Sequence, residues 1–135
     1  TRLQDMGVEP FLLSSSLLAV MAQRLVRLLC LECREAYQPT DIECERLGIT
    51  DSQTQLYRGV GCEHCNLTGY RGRTGIYELL LVDDNIKDLI HDGASEREII
   101  KYTRKHFPSI RSDGRRQVLS GITTIDEVLR VTQKD

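Results

Sequence analysis

Two cysteine pairs constrain this 135-residue chain more than any other feature. Cys30 and Cys33 form one C-x₂-C pair, and Cys62 and Cys65 form a second one 28 residues later. Four thiolates are the ligand set that Zn²⁺ prefers in a closed, tetrahedral structural site. The spacing therefore predicts that the four cysteines hold one structural zinc ion between two knuckles.

Other uses of these cysteines stay open as alternatives: two disulfides, a redox pair or an iron–sulfur cluster. The odd fifth cysteine, Cys44, and the absence of a recognisable signal peptide argue against a secreted disulfide scaffold. A thioredoxin-like protein would carry one pair rather than two. We expect Cys44 to be a spectator thiol on a short helix and His64, between two ligands, to stay out of the coordination.

The first stretch, residues 1–29, is expected to end in an amphipathic helix that Ser14, Ser15 or Ser16 caps. Its apolar residues recur at helical spacing: Leu17, Leu18, Met21, Leu25, Leu28 and Leu29. Arg24 and Arg27 interrupt this face. We interpret them as solvated or salt-bridged charges in preference to an anion site.

The second stretch, residues 30–72, is interpreted as the metal module. A capping box from Thr40 to Glu43, followed by Gly48, predicts a helix from Asp41 to Leu47. The segment 56–58 predicts a short strand. Four glycines are expected to turn backbone N–H groups toward the sulfurs: Gly59, Gly61, Gly69 and Gly72. Because the module has little apolar content, we expect the metal to supply much of its folding energy.

The third stretch, residues 73–135, is predicted to begin with a mostly buried strand from Thr74 to Val82. Short helices follow, with a capping signal at Asp83 or Asp84 and another helix near 113–120. Capping boxes are predicted for Ser95 with Glu98 and for Thr124 with Glu127. We expect these helices to form a small bundle that folds without the metal. The fold class predicted for the whole chain is α+β, mostly helical.

The sequence contains no grouping that identifies a catalytic site. It has no G-x-x-x-x-G-K-[ST] loop and no H-E-x-x-H motif. His91 and His106 are interpreted as exposed helix-end residues. Lys and Arg number 18 against 20 Asp and Glu, which argues against a dedicated nucleic-acid binder. We therefore assign no catalytic or nucleotide-binding residue and expect no ATP hydrolysis by this chain alone.

Several segments resemble the secretion ATPase family, and together they cover nearly the whole chain. In the first stretch they are Thr1–Leu3, Asp5–Gly7, Glu9–Leu12, Ser14–Leu17 and Ala22–Arg27. Around the second cysteine pair they are Gly61–Cys62, Cys65–Asn66 and Thr68–Leu79. Four further segments are more similar to the type II secretion branch than to the type IV pilus assembly branch: Ser109–Arg111, Asp113–Gly114, Gly121–Thr123 and Glu127–Thr132. The family's nucleotide-binding boxes are not in this sequence, so the resemblance carries over only Cys30, Cys33, Cys62 and Cys65, as metal ligands.

The resemblance implies that the chain is the C-terminal part of a cytoplasmic ATPase that powers type II protein secretion. Residues 1–29 would be the tail of a RecA-like core, 30–72 a tetracysteine zinc subdomain and 73–135 a C-terminal subdomain. The parent would bind ATP and Mg²⁺, form a hexamer and lie peripherally on the cytoplasmic face of the bacterial inner membrane. Its partners would be the other subunits and the inner-membrane platform proteins, not nucleic acid.

Exposed residues between the knuckles are the expected contact surface for a platform protein: Glu43, Arg46, Gln53 and Gln55. Two other functions stay open. The chain could come from a type IV pilus assembly ATPase, or it could be a self-contained zinc-ribbon adaptor.

Overall fold

The computed structural model describes residues 2–51 and 53–132. Thr1 at the start of the predicted first stretch, Ser52 in the second and residues 133–135 at the end of the third lie outside the described residues. The helices are α1 Arg2–Asp5, α2 Pro10–Ser16, α3 Asp41–Leu47, α4 Asp84–His91, α5 Glu96–His106, α6 Ile110–Leu119 and α7 Ile125–Thr132. The strands are β1 Ala19–Leu29, β2 Arg34–Tyr37, β3 Leu56–Gly59 and β4 Tyr70–Leu81. The predicted class, α+β and mostly helical, is confirmed. Within the described ranges, no helix has the length and apolar character needed to span a membrane.

The chain forms two compact units. The first unit comprises residues 1–22 and 78–109, and the second comprises residues 23–77 and 110–135. Both units are discontinuous in sequence, because β1 and β4 each contribute residues to both units. The predicted division at residues 29 and 72 concerns subdomains of a longer protein and stays a prediction.

The first unit is built around α2, α4 and α5. Its buried core consists of Leu13, Val82, Ile86 and Ile90. The predicted caps are confirmed: the Asp83 side chain accepts from the Ile86 N–H at 2.9 Å, and Ser95 accepts from the Glu98 N–H at 3.2 Å. These local bonds satisfy N–H groups that the first helical turn leaves unpaired.

The second unit contains α3, α6, α7 and the β2–β3 hairpin. The predicted helix α3 is confirmed, with a complete capping box between Thr40 and Glu43 and with Gly48 at φ 67°. Helices α6 and α7 approach closely at Gly114, where an added Cβ would lie 2.5 Å from Val128 Cγ1. The predicted strand at 56–58 is confirmed as β3, which pairs antiparallel with β2.

The predicted amphipathic helix over residues 17–29 is wrong, because this segment is the strand β1. β1 pairs with β4, with Val82 N donating to Leu18 O at one end and Cys30 N to Gly69 O at the other. Periodicity alone does not separate a helix from a strand in so apolar a run, and pairing with a distant strand prevails over the helical pattern. The serines end the preceding helix α2 instead, since Ser14 and Ser15 donate to Phe11 O.

The strand predicted from Thr74 is confirmed as β4, but it is not mostly buried. Alternate side chains are exposed: Tyr77 44%, Leu79 53% and Leu81 55%. Successive side chains of a strand point to opposite faces, so covering one face buries only half of them. In contrast, Ile76 is fully buried.

Candidate metal centre

The structure brings the four predicted ligands together. The Sγ atoms of Cys30, Cys33, Cys62 and Cys65 all lie within 4.8 Å of one another. Three of the Sγ–Sγ distances are close to 3.8 Å: Cys30–Cys62 3.7 Å, Cys33–Cys65 3.8 Å and Cys62–Cys65 3.8 Å. Sulfurs in a tetrahedral site with Zn–S bonds of about 2.3 Å lie about 3.8 Å apart. The donor set and its spacing therefore fit one Zn²⁺.

The geometry of the cluster follows from the chain segments that carry the cysteines. Cys30 directly follows β1, and Cys33 directly precedes β2. Cys62 directly precedes a 3₁₀ turn, and Cys65 is the last residue of that turn. The β2–β3 ladder runs from Arg34 opposite Gly59 to Tyr37 opposite Leu56. This ladder holds the two knuckles side by side at one of its ends.

Backbone N–H groups surround two of the sulfurs. Gly61 donates to Cys33 Sγ at 3.3 Å, while Cys62 and Gly69 each donate to Cys65 Sγ at 3.2 Å. Such bonds stabilise metal-bound thiolates, as predicted for Gly61 and Gly69.

The thiols ionise unequally. Burial raises the pKa of Cys65, but the N–H groups of Cys62 and Gly69 outweigh burial and lower that pKa to about 6. Burial and the contact with Cys30 raise the pKa of Cys62 to about 11. Because like charges oppose one another, four thiolates need a cation between them to coexist.

Gly59 and Gly69 bring two backbone segments into direct contact beside the cluster. An added Cβ on Gly59 would lie 2.2 Å from Gly69 O, and this atom is backbone that no rotamer change can move away. Gly69 also accepts from Cys30 N at 2.9 Å, in addition to its bond to the Cys65 sulfur. Its position therefore couples both knuckles.

The substitution Gly59→Ala is expected to lower zinc affinity by about 10–100-fold, because it displaces Gly69 and its bonds around the ligands. Competition against a chromophoric chelator measures this affinity. Gly48→Asn is the matched control, since Gly48 has φ 67° with nothing near its Cβ position and Asn tolerates this conformation. Equal zinc affinity of Gly59→Ala and the unchanged protein would contradict the expectation.

The remaining candidate ligands lie outside the cluster. His64 is exposed, and the ligand atoms that lie together are the four sulfurs. Cys44 is half-buried on α3, as predicted. The sulfur distances exceed the disulfide bond length of about 2.05 Å, so the cysteines are thiols in this structure.

Arg34 and Arg58, on the strands beside the knuckles, have partners other than the sulfurs. Arg34 donates to Gly121 O at 2.6 Å and lies 5.3 Å from the Tyr57 ring centroid. Arg58 pairs with Glu35 at 2.9 Å. In addition, Arg115 on α6 donates to the carbonyl oxygens of Leu47 and Gly48 at the end of α3. The metal module is therefore bonded to the segment that contains α6 and α7.

Glu127 is the second polar centre of this unit, and sequence reasoning assigned it a different role. Its carboxylate accepts from Arg27 N at 2.8 Å, from the Arg27 guanidinium and from Arg130 at 2.9 Å. The predicted capping box is therefore half present: Thr124 accepts from Glu127 N, but the carboxylate binds Arg27. Arg27 also lies over the Tyr70 ring at 4.1 Å. This supports the interpretation of Arg27 as a salt-bridged charge.

The predicted contact surface between the knuckles needs one correction. Glu43 is not a free surface charge, because it accepts from the Tyr37 hydroxyl at 2.6 Å and closes the capping box of α3. Arg46, Gln53 and Gln55 are exposed. Arg24 is exposed as well, and its guanidinium donates to Gln23 O.

Comparison with protein families matches residues 1–130 to the family described as type II/IV secretion system protein. The chain is 55% identical over 136 residues to type II secretion system protein E of Pseudomonas aeruginosa. It is 54% identical over 138 residues to type II secretion system ATPase E of Vibrio cholerae. These matches cover 100% and 99% of the chain but 27% of each relative.

A type IV pilus assembly protein is also similar. The chain is 46% identical over 136 residues to the type IV pilus assembly ATPase PilB of Thermus thermophilus, covering 98% of the chain and 15% of that protein. The chain thus spans about a quarter of the type II relatives' length and a smaller share of this pilus ATPase.

Proposed function

The chain belongs to the type II/IV secretion system protein family, and on that premise we propose that it is part of a type II secretion ATPase, where it forms a zinc-stabilised docking region. Its higher identity to the E proteins than to the pilus ATPase supports the type II branch. In this proposal the whole protein is a hexameric ATP hydrolase that uses Mg²⁺. It lies peripherally on the cytoplasmic face of the inner membrane and drives pseudopilus assembly.

The zinc site carries the part of this proposal that concerns the chain itself. Four thiolates would fill the four positions of a tetrahedral Zn²⁺, so a bound ion would have no position left for a water. Such a closed site is structural. Bound Zn²⁺ would supply metal–sulfur bonds that join the two knuckles, and Cys30, Cys33, Cys62 and Cys65 would hold it.

A rigid module of this kind suits docking. Residues 30–72 form a tetracysteine subdomain between a RecA-like tail at 1–29 and a C-terminal subdomain at 73–135. With few buried apolar residues of its own, such as Leu47 and Leu56, the module keeps its shape through the metal and through bonds to α6 and to the loop between α6 and α7. It can therefore present a fixed surface to an inner-membrane platform protein while the ATPase core changes conformation.

The docking role predicts separate effects on zinc, catalysis and secretion. A panel of exposed substitutions over the module, including Arg46→Glu and Gln55→Lys, should keep one zinc per chain and change stability by about 0.5 kcal/mol or less. The full-length variants should keep ATP hydrolysis, and at least one should lose secretion in a cell-based assay. Elemental analysis, phosphate release and exoprotein levels measure the three properties.

Normal secretion for every member of the panel would contradict the docking role and leave zinc with a purely stabilising one. Zinc well below one per chain in folded, reduced protein would contradict the metal assignment. Glu43→Lys is omitted from the panel, because it would break the bond with Tyr37 and the cap of α3.

A further inference from the structure

Three large apolar side chains are exposed on the two cysteine knuckles. Leu31 is 76% exposed, Val60 62% and Leu67 76%. Each is within two residues of a cysteine ligand, and consecutive Cα atoms are about 3.8 Å apart, so each Cα lies within about 8 Å of a cysteine Cα. We call these three residues the knuckle patch.

The backbone of Leu67 is unusual for a leucine. Its φ is 65°, in the left-handed region, and Asn66 before it has φ 55°. A Cβ makes this conformation unfavourable, and Gly or Asn is its ordinary occupant. Burial does not compensate, because the side chain is exposed. Neither backbone preference nor core packing explains a leucine here, which points to a contact with another molecule.

One member of the knuckle patch also borders a groove. Leu31 borders an open groove of about 320 Å³ whose apolar wall includes Leu28, Leu29 and Ile122. Glu32, Arg34 and Arg71 also line it. An apolar side chain of a partner would find a matching surface in this groove.

The charges around the patch select the kind of partner. Glu32 and Glu63 are acidic, exposed and located within the knuckles. Four thiolates around one divalent ion would add two negative charges. Together with the two glutamates, this negative charge exceeds the positive charge of Arg34 and Arg71. The two knuckles therefore combine exposed apolar side chains with a net negative charge.

We infer that the knuckle patch is the docking surface of the metal module and that its occupant is a cationic amphipathic helix of another protein. Apolar side chains of such a helix would contact Leu31, Val60 and Leu67, and its Lys or Arg side chains would face Glu32 and Glu63. This inference rests on the proposed docking function and names the surface and the chemistry of the partner.

Photo-crosslinking in secreting cells tests the inference directly. The full-length protein carries p-benzoylphenylalanine at position 31, and the crosslinked peptide is identified by mass spectrometry. We expect a segment of a second protein with Lys or Arg and apolar residues at helical spacing. Adding Leu67→Asn should lower the crosslink yield about tenfold, with zinc content unchanged and melting temperature not lowered, because Asn tolerates positive φ.

Ile42→Asn is the matched control. Ile42 is 64% exposed on α3, and α3 follows Tyr37, which lies at the end of the β2–β3 ladder opposite the knuckles. It should leave the yield unchanged. A crosslink to a second copy of this protein, to another segment of the same chain or to an acidic segment would overturn the inference. So would an unchanged yield in Leu67→Asn.

The inference and the proposed function fail in different ways. If other surface variants of the module abolish secretion while Leu67→Asn does not, the docking role stands and the knuckle patch is the wrong surface. If no surface variant affects secretion, the docking role itself is wrong.

Discussion

Replacing Cys30 by serine is expected to remove zinc and to loosen the whole second unit, including helices that carry no cysteine. A site with three thiolates loses part of the binding free energy that is also folding free energy, so zinc affinity should fall at least about 100-fold. α6 and α7 should loosen together with the knuckles, because Arg34 bonds to Gly121 and Arg115 bonds to the end of α3. This differs from the expectation that all helices beyond Asp83 fold without the metal.

Elemental analysis and hydrogen exchange read by mass spectrometry check this result. Exchange in Cys30→Ser should rise in Ile110–Leu119 and Ile125–Thr132 as well as in the knuckles. It should change little in Asp84–His91, whose core of Leu13, Val82, Ile86 and Ile90 contains no metal-linked residue. Cys44→Ser is the control and should keep one zinc per chain. Faster exchange confined to residues 30–72 would show that α6 and α7 are independent of the metal.

Replacing Glu127 by glutamine is expected to lower the free energy of unfolding by about 2 kcal/mol. The Glu127 side chain is 2% exposed, so the substitution removes a buried charge that three groups of Arg27 and Arg130 bind. Loss of one partner of a fully buried pair would cost about 3–5 kcal/mol. The smaller value applies because the side chains of Arg27 and Arg130 are 49% and 56% exposed, so water solvates both guanidinium groups when the carboxylate is lost.

Urea denaturation at equal zinc load, followed by tyrosine fluorescence, measures this difference. Asp126→Asn is the matched control, since Asp126 is an exposed neighbour on α7, and its effect should stay within about 0.5 kcal/mol. An effect of Glu127→Gln as small as that of Asp126→Asn would contradict a stabilising role for the Arg27 pair.

The same pair predicts a pH dependence. Burial raises the pKa of Glu127, but hydrogen bonds from Arg130 and Arg27 outweigh it and hold the pKa at about 2, below its ordinary value of 4.5. A carboxylate with a lowered pKa stabilises the fold above its unfolded pKa and loses this contribution as the pH falls toward the folded value. The stability difference between the unchanged protein and Glu127→Gln should therefore be constant above about pH 5.5 and narrow from about pH 4.5 toward pH 2.

Local signals predicted the elements whose bonds are local. The cap of α3 joins Thr40 to Glu43, and that of α5 joins Ser95 to Glu98, so both are visible within four residues of sequence. Gly48 at φ 67° ended α3 where predicted, since the left-handed conformation suits glycine there. The start of α2 is also a local signal, because proline is favoured in the first helical turn and Pro10 lies there.

Non-local pairing explains the errors. Residues 17–29 have apolar positions that suit a helix, yet their N–H and C=O groups pair with β4 about fifty residues away. Glu127 has the spacing of a capping box, yet its carboxylate binds Arg27, which is 100 residues distant. Side-chain periodicity carries no information about which distant strand or charge competes for a backbone or carboxylate group.

The cysteine spacing predicted which four sulfurs the structure brings within 4.8 Å of one another, because ligand type and tetrahedral coordination restrict which residues can serve a metal. That these sulfurs hold zinc stays a prediction. The positions of Gly61 and Gly69 beside the sulfurs followed from the need for tight turns. The close contact of Gly59 with Gly69, the Glu127–Arg27 pair and the exposed Leu67 with φ 65° became visible only in three dimensions. The first two features join segments that are far apart in sequence, and the third is a backbone angle that leucine rarely adopts. The packing of the whole unit, and not local preference, determines such features.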